Sequence, residues 1–336
     1  MMNKLAFLLL MLLLACSPGN EDDNSTITEL NASPVELVLD SLSKEIIDNP
    51  KNSNNYYRRA HYFYKEGEFE QANSDIQRAL VVDSTVAEYH YFQGEVYYAN
   101  QQYKEAFSSY QKAVEYDNEH EEAILKLSQI ELVLQNYDLA IEMVNKALKI
   151  NPMNASAYYL KGFIYLDARD TTTAISSFQT AIEVDPDHYD SYVILGKIYS
   201  VLDPDFSETY YTQAIDLQPQ SIEALYNMGV LLQGQERYAE SYPIYDRIIE
   251  IDSTAYFAYY NKGYVLLVSD SSYTKAIEEF ESSLRFYPYY HQAYCNIGLC
   301  YENLGEYDEA VKNYKKALEI NPQFEPAARG LSRILE

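Results

Sequence analysis

Small and bulky residues recur along this chain with one long period. Small residues stand at Ala60, Gly94, Ser128, Gly162, Gly196, Gly229, Gly263 and Gly298, and the successive gaps are 34, 34, 34, 34, 33, 34 and 35 residues. A second small column follows in each period: Ala72, Ala106, Ala140, Ala174, Ser207, Ser241, Ala276 and Ala310. A bulky column comes next, at Ile76, Tyr110, Val144, Phe178, Tyr211, Tyr245, Phe280 and Tyr314. A last small column is Ala79, Ala113, Ala147, Ala181, Ala214, Ile248, Ser283 and Ala317, with Ile248 of the sixth repeat its one large member. Periods close on Asp or Asn and a turn former, as in Asn151-Pro152, Asp185-Pro186 and Asn321-Pro322. Self-similarity at this length marks a repeat array, not two ordinary domains.

The columns have a physical reading. Small residues let the two helices of a hairpin approach closely, and the bulky residue fills the space between them and the next hairpin. One hairpin alone leaves an apolar face wet, so hairpins must stack and both ends need covers. Val35 to Asp48 reads as an amphipathic helix within an N-terminal cap spanning 35–52. Residues 325–336 read as the C-terminal cap, with Ala327, Ala328, Leu331 and Ile334 facing the last hairpin. Pro243 falls inside a second helix, where it removes a hydrogen bond and should distort that turn.

These columns resemble the tetratricopeptide repeat (TPR) family over residues 53–324. The resemblance implies an all-α, right-handed α-solenoid of eight hairpins: 53–86, 87–120, 121–154, 155–188, 189–221, 222–255, 256–290 and 291–324, between the two caps. The family's Trp position is usually Tyr here, at Tyr56, Tyr158, Tyr192, Tyr259 and Tyr294. Hairpin five lacks one residue and carries Pro204, and hairpin seven has one extra.

In this family the first helix of each unit lines a concave groove, and ligands meet its second, fifth, ninth and twelfth positions. Carried over, the groove presents Tyr57, His61 and Tyr64, then Glu88, Tyr91, Glu95 and Tyr98. Glu122, Leu125, Gln129 and Leu132 follow, then Tyr159, Phe163 and Leu166, and later Tyr226, Tyr260, Tyr264 and Glu302. Tyr56, Phe63 and Tyr97 fill inner packing positions, which leaves the groove tyrosines not all needed for the core. The competing reading is that these tyrosines pack against neighbouring helices. A chaperone-type carboxylate clamp is not supported, because its Lys and Asn positions hold Tyr57 and His61.

The N-terminus reads as an address. Lys4 precedes an apolar run, Leu5 to Leu14, and Ala15 is the small residue before a cut, so 1–15 is an export signal. The run is short of the ~20 apolar residues a spanning helix needs. Leu13-Leu14-Ala15-Cys16 resembles a bacterial lipobox, which implies a lipidated Cys16. Residues 16–34 read as an acidic flexible tether. Ser17 behind the cysteine is compatible with outer-membrane sorting. The acidic stretch resembles the surface-export signal of Bacteroidota lipoproteins. Together these imply a bacterial envelope protein held by lipid alone, at the periplasmic or the cell-surface face.

Composition sharpens the choice of partner. Asp and Glu number 51 against 25 Lys and Arg, a net charge of -26. Such a surface repels nucleic acid and favours basic partners. Gly and Pro number 11 each, which suits helices better than a β-sandwich. Trp is absent while Tyr numbers 36, and Tyr gives large contact area at low entropy cost. Cys295 and Cys300 lie in one helix and point to different sides, as small apolar fillers.

No phosphate loop, HExxH or CxxC pattern is present, so no cofactor, metal site or catalytic group is expected. The five His are far apart; His120 and His188 share a position at the end of the repeat and read as solvated turn residues. The expected function is a non-enzymatic, envelope-tethered scaffold that binds partner proteins or peptides, basic or proline-rich, in the Tyr- and acid-lined groove. The alternatives are a glycan-binding lipoprotein using Tyr faces and, remotely, an enzyme accessory subunit.

Overall fold

The computed structural model describes residues 34–336, and every regular element among them is an α-helix. The export signal, Cys16 and nearly all of the tether lie outside the described residues. Two compact units divide the chain, the first ending at Asn118 and the second running from Glu119 to Glu336.

The first unit holds α1 (Pro34–Asp48), α2 (Ser53–Lys65), α3 (Phe69–Val82), α4 (Ala87–Ala99) and α5 (Tyr103–Tyr116). The second begins with α6 (Glu121–Val133), α7 (Tyr137–Ile150), α8 (Ala155–Asp167), α9 (Thr171–Val184), α10 (Tyr189–Leu202) and α11 (Pro204–Leu217). It continues with α12 (Ile222–Gly234), α13 (Tyr238–Ile251), α14 (Tyr256–Ser269), α15 (Tyr273–Phe286), α16 (His291–Leu304), α17 (Tyr307–Ile320) and α18 (Glu325–Leu335). The helices pair as consecutive hairpins, α2 with α3 through α16 with α17, while α1 packs on α2 and α18 on α16 and α17.

The bulky column is the centre of every hairpin. Its eight residues are at most 2% exposed. A Cβ built on Gly94 would lie 2.4 Å from Tyr110, one on Gly162 2.5 Å from Phe178 and one on Gly196 2.5 Å from Tyr211. The ring of the second helix therefore lies directly on the backbone of the first. Where the bulky residue is smaller the partner is larger: Ala60 goes with Ile76, and Ser128 with Val144. Volume is conserved within the pair, as close packing demands.

Turns follow from local chemistry. Between hairpins the Asp or Asn side chain accepts the backbone N–H two residues on: Asp83 from Thr85 at 3.0 Å, Asp185 from Asp187 at 3.0 Å and Asn321 from Gln323 at 3.2 Å. Within hairpins the turn uses a residue at positive φ: Gly67, Gln101, Gln135, Arg169, Glu236, Ser271 and Gly305. Hairpin five contributes none. Its two helices are separated by Asp203 alone, whose carboxylate accepts the Asp205 N–H at 3.2 Å, with Pro204 opening α11.

The caps hold by different means. In α1, Leu42 and Ile46 are buried, and Asn55 of α2 donates to the Glu45 carbonyl at 2.9 Å. Arg59 ties α2 to Asp75 of α3 at 2.6 and 2.8 Å and to Ser43 of α1 at 2.9 Å. In α18, Ala327 is buried and Leu331 and Ile334 pack on Tyr314, but Ala328 is exposed, contrary to the sequence reading. Its place is taken by Gly330, where a Cβ would stand 2.4 Å from the Tyr314 ring. Pro243 does not break its helix: α13 runs unbroken from Tyr238 to Ile251 and Pro243 is exposed.

Candidate functional site

Within each unit the fifth, ninth and twelfth positions of the first helices are held largely by ring contacts. In the first unit, Tyr57, His61 and Tyr64 of α2 converge on Phe92 of α4. The His61 and Phe92 rings stack at 4.2 Å and 13°, Tyr57 meets Phe92 edge-on at 5.4 Å, and Tyr64 does so at 5.5 Å. All three α2 residues are half-buried. They are packing residues of the α2–α4 seam as much as a surface. Burial, and then Lys65, lower the His61 pKa, so its ring is neutral at pH 7.

The face carboxylates are engaged by phenols. Tyr57 donates its hydroxyl to Glu88 at 2.8 Å, and Tyr110 of α5 donates to Glu95 at 2.6 Å. Burial, reinforced by these acceptors, raises both tyrosine pKa values, so the protons stay on the phenols. Tyr91 lies half-buried with its ring 5.9 Å from Tyr110. Tyr98 is 48% exposed and leans edge-on against Tyr103 at 5.4 Å. Tyr98 and Glu88 are thus the most open of the first unit's seven groove positions.

In the second unit, Tyr159 and Phe163 pack edge-on at 4.8 Å and both rest on Phe178. Burial pushes Tyr159 up to about 12. Tyr226 meets Phe257 at 5.1 Å, and Tyr260 takes a hydrogen bond from Asn296 at 3.2 Å while lying 4.7 Å from Tyr290. Tyr264 is half-buried against the cluster of Leu266, Phe280 and Ile297. Glu302 is closed over: Arg333 of α18 donates to it twice at 2.9 Å and Tyr314 at 2.6 Å. Those bonds, Arg333's first, hold the Glu302 carboxyl below its usual range.

Two histidines behave otherwise than the sequence suggests. His120 and His188 are helix N-caps, accepting the backbone N–H groups of Ala123 at 3.4 Å and Ser191 at 3.3 Å through Nδ1. They are half-buried structural residues and not solvated turns. Phe92, the hub of the first unit's face, was not singled out by position; its signal is an aromatic at the sixth place of a first helix, between two groove positions. Cys295 and Cys300 are buried free thiols, and burial pushes them up to about 11 and about 12. Among the described residues no group of three or more His, Cys, Asp or Glu is placed to hold a metal ion.

Tetratricopeptide repeat family models match residues 57–120, 97–162, 155–188, 222–254 and 291–324, together more than half of the chain. A tomato (Solanum lycopersicum) protein, the probable UDP-N-acetylglucosamine--peptide N-acetylglucosaminyltransferase SPINDLY, is 28% identical over 105 residues, which are 31% of this chain and 11% of that protein. Heat shock protein STI1 of Saccharomyces cerevisiae is 26% identical over 97 residues, 29% of this chain and 16% of that protein. The chain therefore spans only a small part of these curated relatives. The solved structure of Pseudomonas aeruginosa pilF is 14% identical, covers 64% of this chain and 98% of its own, and has a TM-score of 0.52, a likeness of fold. Repeat columns, hairpin pairing and family matches agree: the chain is a tetratricopeptide repeat protein.

Proposed function

We propose that the protein is a lipid-tethered envelope scaffold whose first-helix face receives basic or proline-rich segments of partner proteins. The observation that carries this reading is the exposed Tyr98 ring, at the end of the helix face that also holds Glu88, Tyr91 and Glu95, in a chain of net charge -26. An exposed aromatic anchor on a strongly acidic chain suits a cationic or proline-bearing segment, since Tyr offers a flat apolar face and the net negative charge steers the approach. Repeat arrays of this family suggest protein or peptide partners, which fits a face built of rings and not of catalytic groups. Cys16, as the acylated residue, anchors the array to a bacterial membrane, with the repeats in the periplasm or at the cell surface.

The test is affinity capture from intact cells with the tethered protein as bait. Tyr91→Ala with Tyr98→Ala should weaken capture of a partner at least tenfold, the scale of truncating a binding hot spot (~2 kcal/mol). The paired control, Lys104→Ala with Lys112→Ala on the exposed side of α5, should change little. Loss of capture by the lysine pair, with the tyrosine pair still active, overturns the reading. Cys16→Ala should move the protein from the membrane to the soluble fraction; a variant that stays with membranes refutes the anchor.

A further inference from the structure

The twelfth residue of each first helix normally finishes the packing at its end of the hairpin. Leu132 packs on Ala140 and Val144, Leu166 on Phe178 and Leu195, and Leu267 is buried against Ile277 and Phe280. Where that residue is long and polar, a phenol bonds it: Tyr245 donates to Gln233 at 3.0 Å and Tyr314 to Glu302 at 2.6 Å. Hairpin five breaks the series with Ser200. This side chain is short, and its hydroxyl donates to the Lys197 carbonyl of its own helix at 2.7 Å.

A cavity of about 370 Å³ lies at this place, on the first-helix face between α10 and α12. Pro204, Tyr211 and Leu231 are among its walls. Tyr211 and Leu231 are buried and Val230 is 41% exposed, so much of the wall is apolar, while Lys197, Ser200 and Gln235 supply polar groups to the rest of it. Asn227 is also in the wall, and its Nδ2 is buried with no hydrogen-bond partner. A buried donor without an acceptor is costly, so this amide favours an incoming acceptor. Lys197 and Glu223 pair at 2.6 Å beside the opening, so neither presents a bare charge to it.

We infer that this cavity is a side-chain socket: it receives a leucine from an extended segment of the partner, whose backbone carbonyl accepts from the Asn227 amide. Leucine is the fitting occupant because Leu132, Leu166 and Leu267 hold the same position in three of the other five hairpins of this unit, where no polar side chain is bonded by a phenol. The partner thus supplies the residue that hairpin five omits. An open cavity of this size is filled by water, and a leucine side chain that enters it displaces that water from the apolar part of the wall. The inference rests on the first-helix face being the binding face, and it adds the residue type that face selects.

The test uses N-acetyl-L-leucinamide as the probe and amide-resolved NMR of the intact chain. Saturable shifts at Gly234 and at the Asn227 side-chain amide are expected, with affinity at least tenfold above that of N-acetyl-L-alaninamide. Ser200→Leu fills the socket from within and should abolish those shifts. Gly234→Leu provides a second block, since a Cβ there meets nothing within 4 Å and the fold is not strained. If leucinamide moves no cavity resonance, or the two variants respond as the unaltered chain does, the socket is refuted. A captured partner that binds Ser200→Leu at full strength also refutes it, while leaving the scaffold reading intact. A socket that takes leucinamide, in a protein whose capture does not depend on Tyr91 and Tyr98, supports the socket and sinks the first-unit part of the scaffold reading.

Discussion

Hairpins four and five share a core and differ at its edge. Both put a glycine of the first helix under a ring of the second, Gly162 under Phe178 and Gly196 under Tyr211, each at 2.5 Å from an added Cβ. Hairpin four then turns through Arg169 at φ 65° and covers the end of its core with Leu166. Hairpin five turns through Asp203 alone, has Ser200 in place of that leucine, and leaves a cavity of about 370 Å³. The pair shows which parts of the repeat are obligatory. The glycine–ring contact cannot change one partner at a time, whereas the turn and the twelfth position can be altered and the hairpin still forms.

The largest expected effect breaks the shared part. Phe178→Ala should cost about 3–5 kcal/mol, since it empties a fully buried site. Tyr211→Ala should cost measurably less, because Tyr211 already borders open space and loses fewer contacts. Urea unfolding followed by far-ultraviolet circular dichroism measures both. Equal losses would mean that the cavity of hairpin five is closed in solution.

A second experiment asks whether volume is set pairwise. Gly162→Ala pushes a methyl into the Phe178 ring, and Phe178→Val shrinks the ring; each alone should cost about 1–3 kcal/mol. Together they should cost less than the sum, by a coupling of about 1 kcal/mol. The chain already contains the compensated versions, Ala60 with Ile76 and Ser128 with Val144. Additive losses in the double-mutant cycle would show that neighbouring hairpins, and not the pair itself, fix the size of these residues.

Much of this was legible in the sequence for one reason: a residue buried inside its own hairpin is constrained by a residue a few turns away, and that constraint repeats. The columns that predict the hairpins, Gly94 with Tyr110 or Gly298 with Tyr314, are of this kind. The state of the candidate face is set over longer reach. Whether His61 is open depends on Phe92 in the next hairpin, and whether Glu302 is open depends on Arg333 in the terminal helix. Position within a helix gives the side on which these residues lie, but not what the following element lays over them. His120 and His188 occupy the repeat position that Asn154 and Ser221 use to cap their helices, but histidine is not among the usual capping residues, so the residue type hides the role. The cavity of hairpin five was visible only as its cause, a missing residue beside Pro204, and the serine in the twelfth position gained meaning once the leucines of hairpins three, four and seven were seen to fill the same place.

The smallest effect concerns the turn. Arg169 sits at φ 65°, where a side chain crowds the following carbonyl at a cost of about 1–2 kcal/mol. Gly is free of that crowding, but it adds disorder to the unfolded chain, about 0.5–1 kcal/mol in the other direction. Arg169→Gly should therefore stabilise hairpin four by a net gain of about half a kcal/mol, read as a small rise in the urea midpoint at unchanged slope. The matching change in hairpin five, Asp203→Gly, should run the opposite way. Asp203 has φ -157°, so glycine relieves nothing there, and the change removes the carboxylate that accepts the Asp205 N–H at 3.2 Å. Loss of that cap should cost a few tenths of a kcal/mol, because glycine is itself a tolerable cap and alanine a poorer one by about 1 kcal/mol. Opposite signs at the two turns would confirm that hairpin five replaced a left-handed turn with a capped, extended one. The same sign at both would mean that the two connections are held by the helices around them and that the turn residues follow passively.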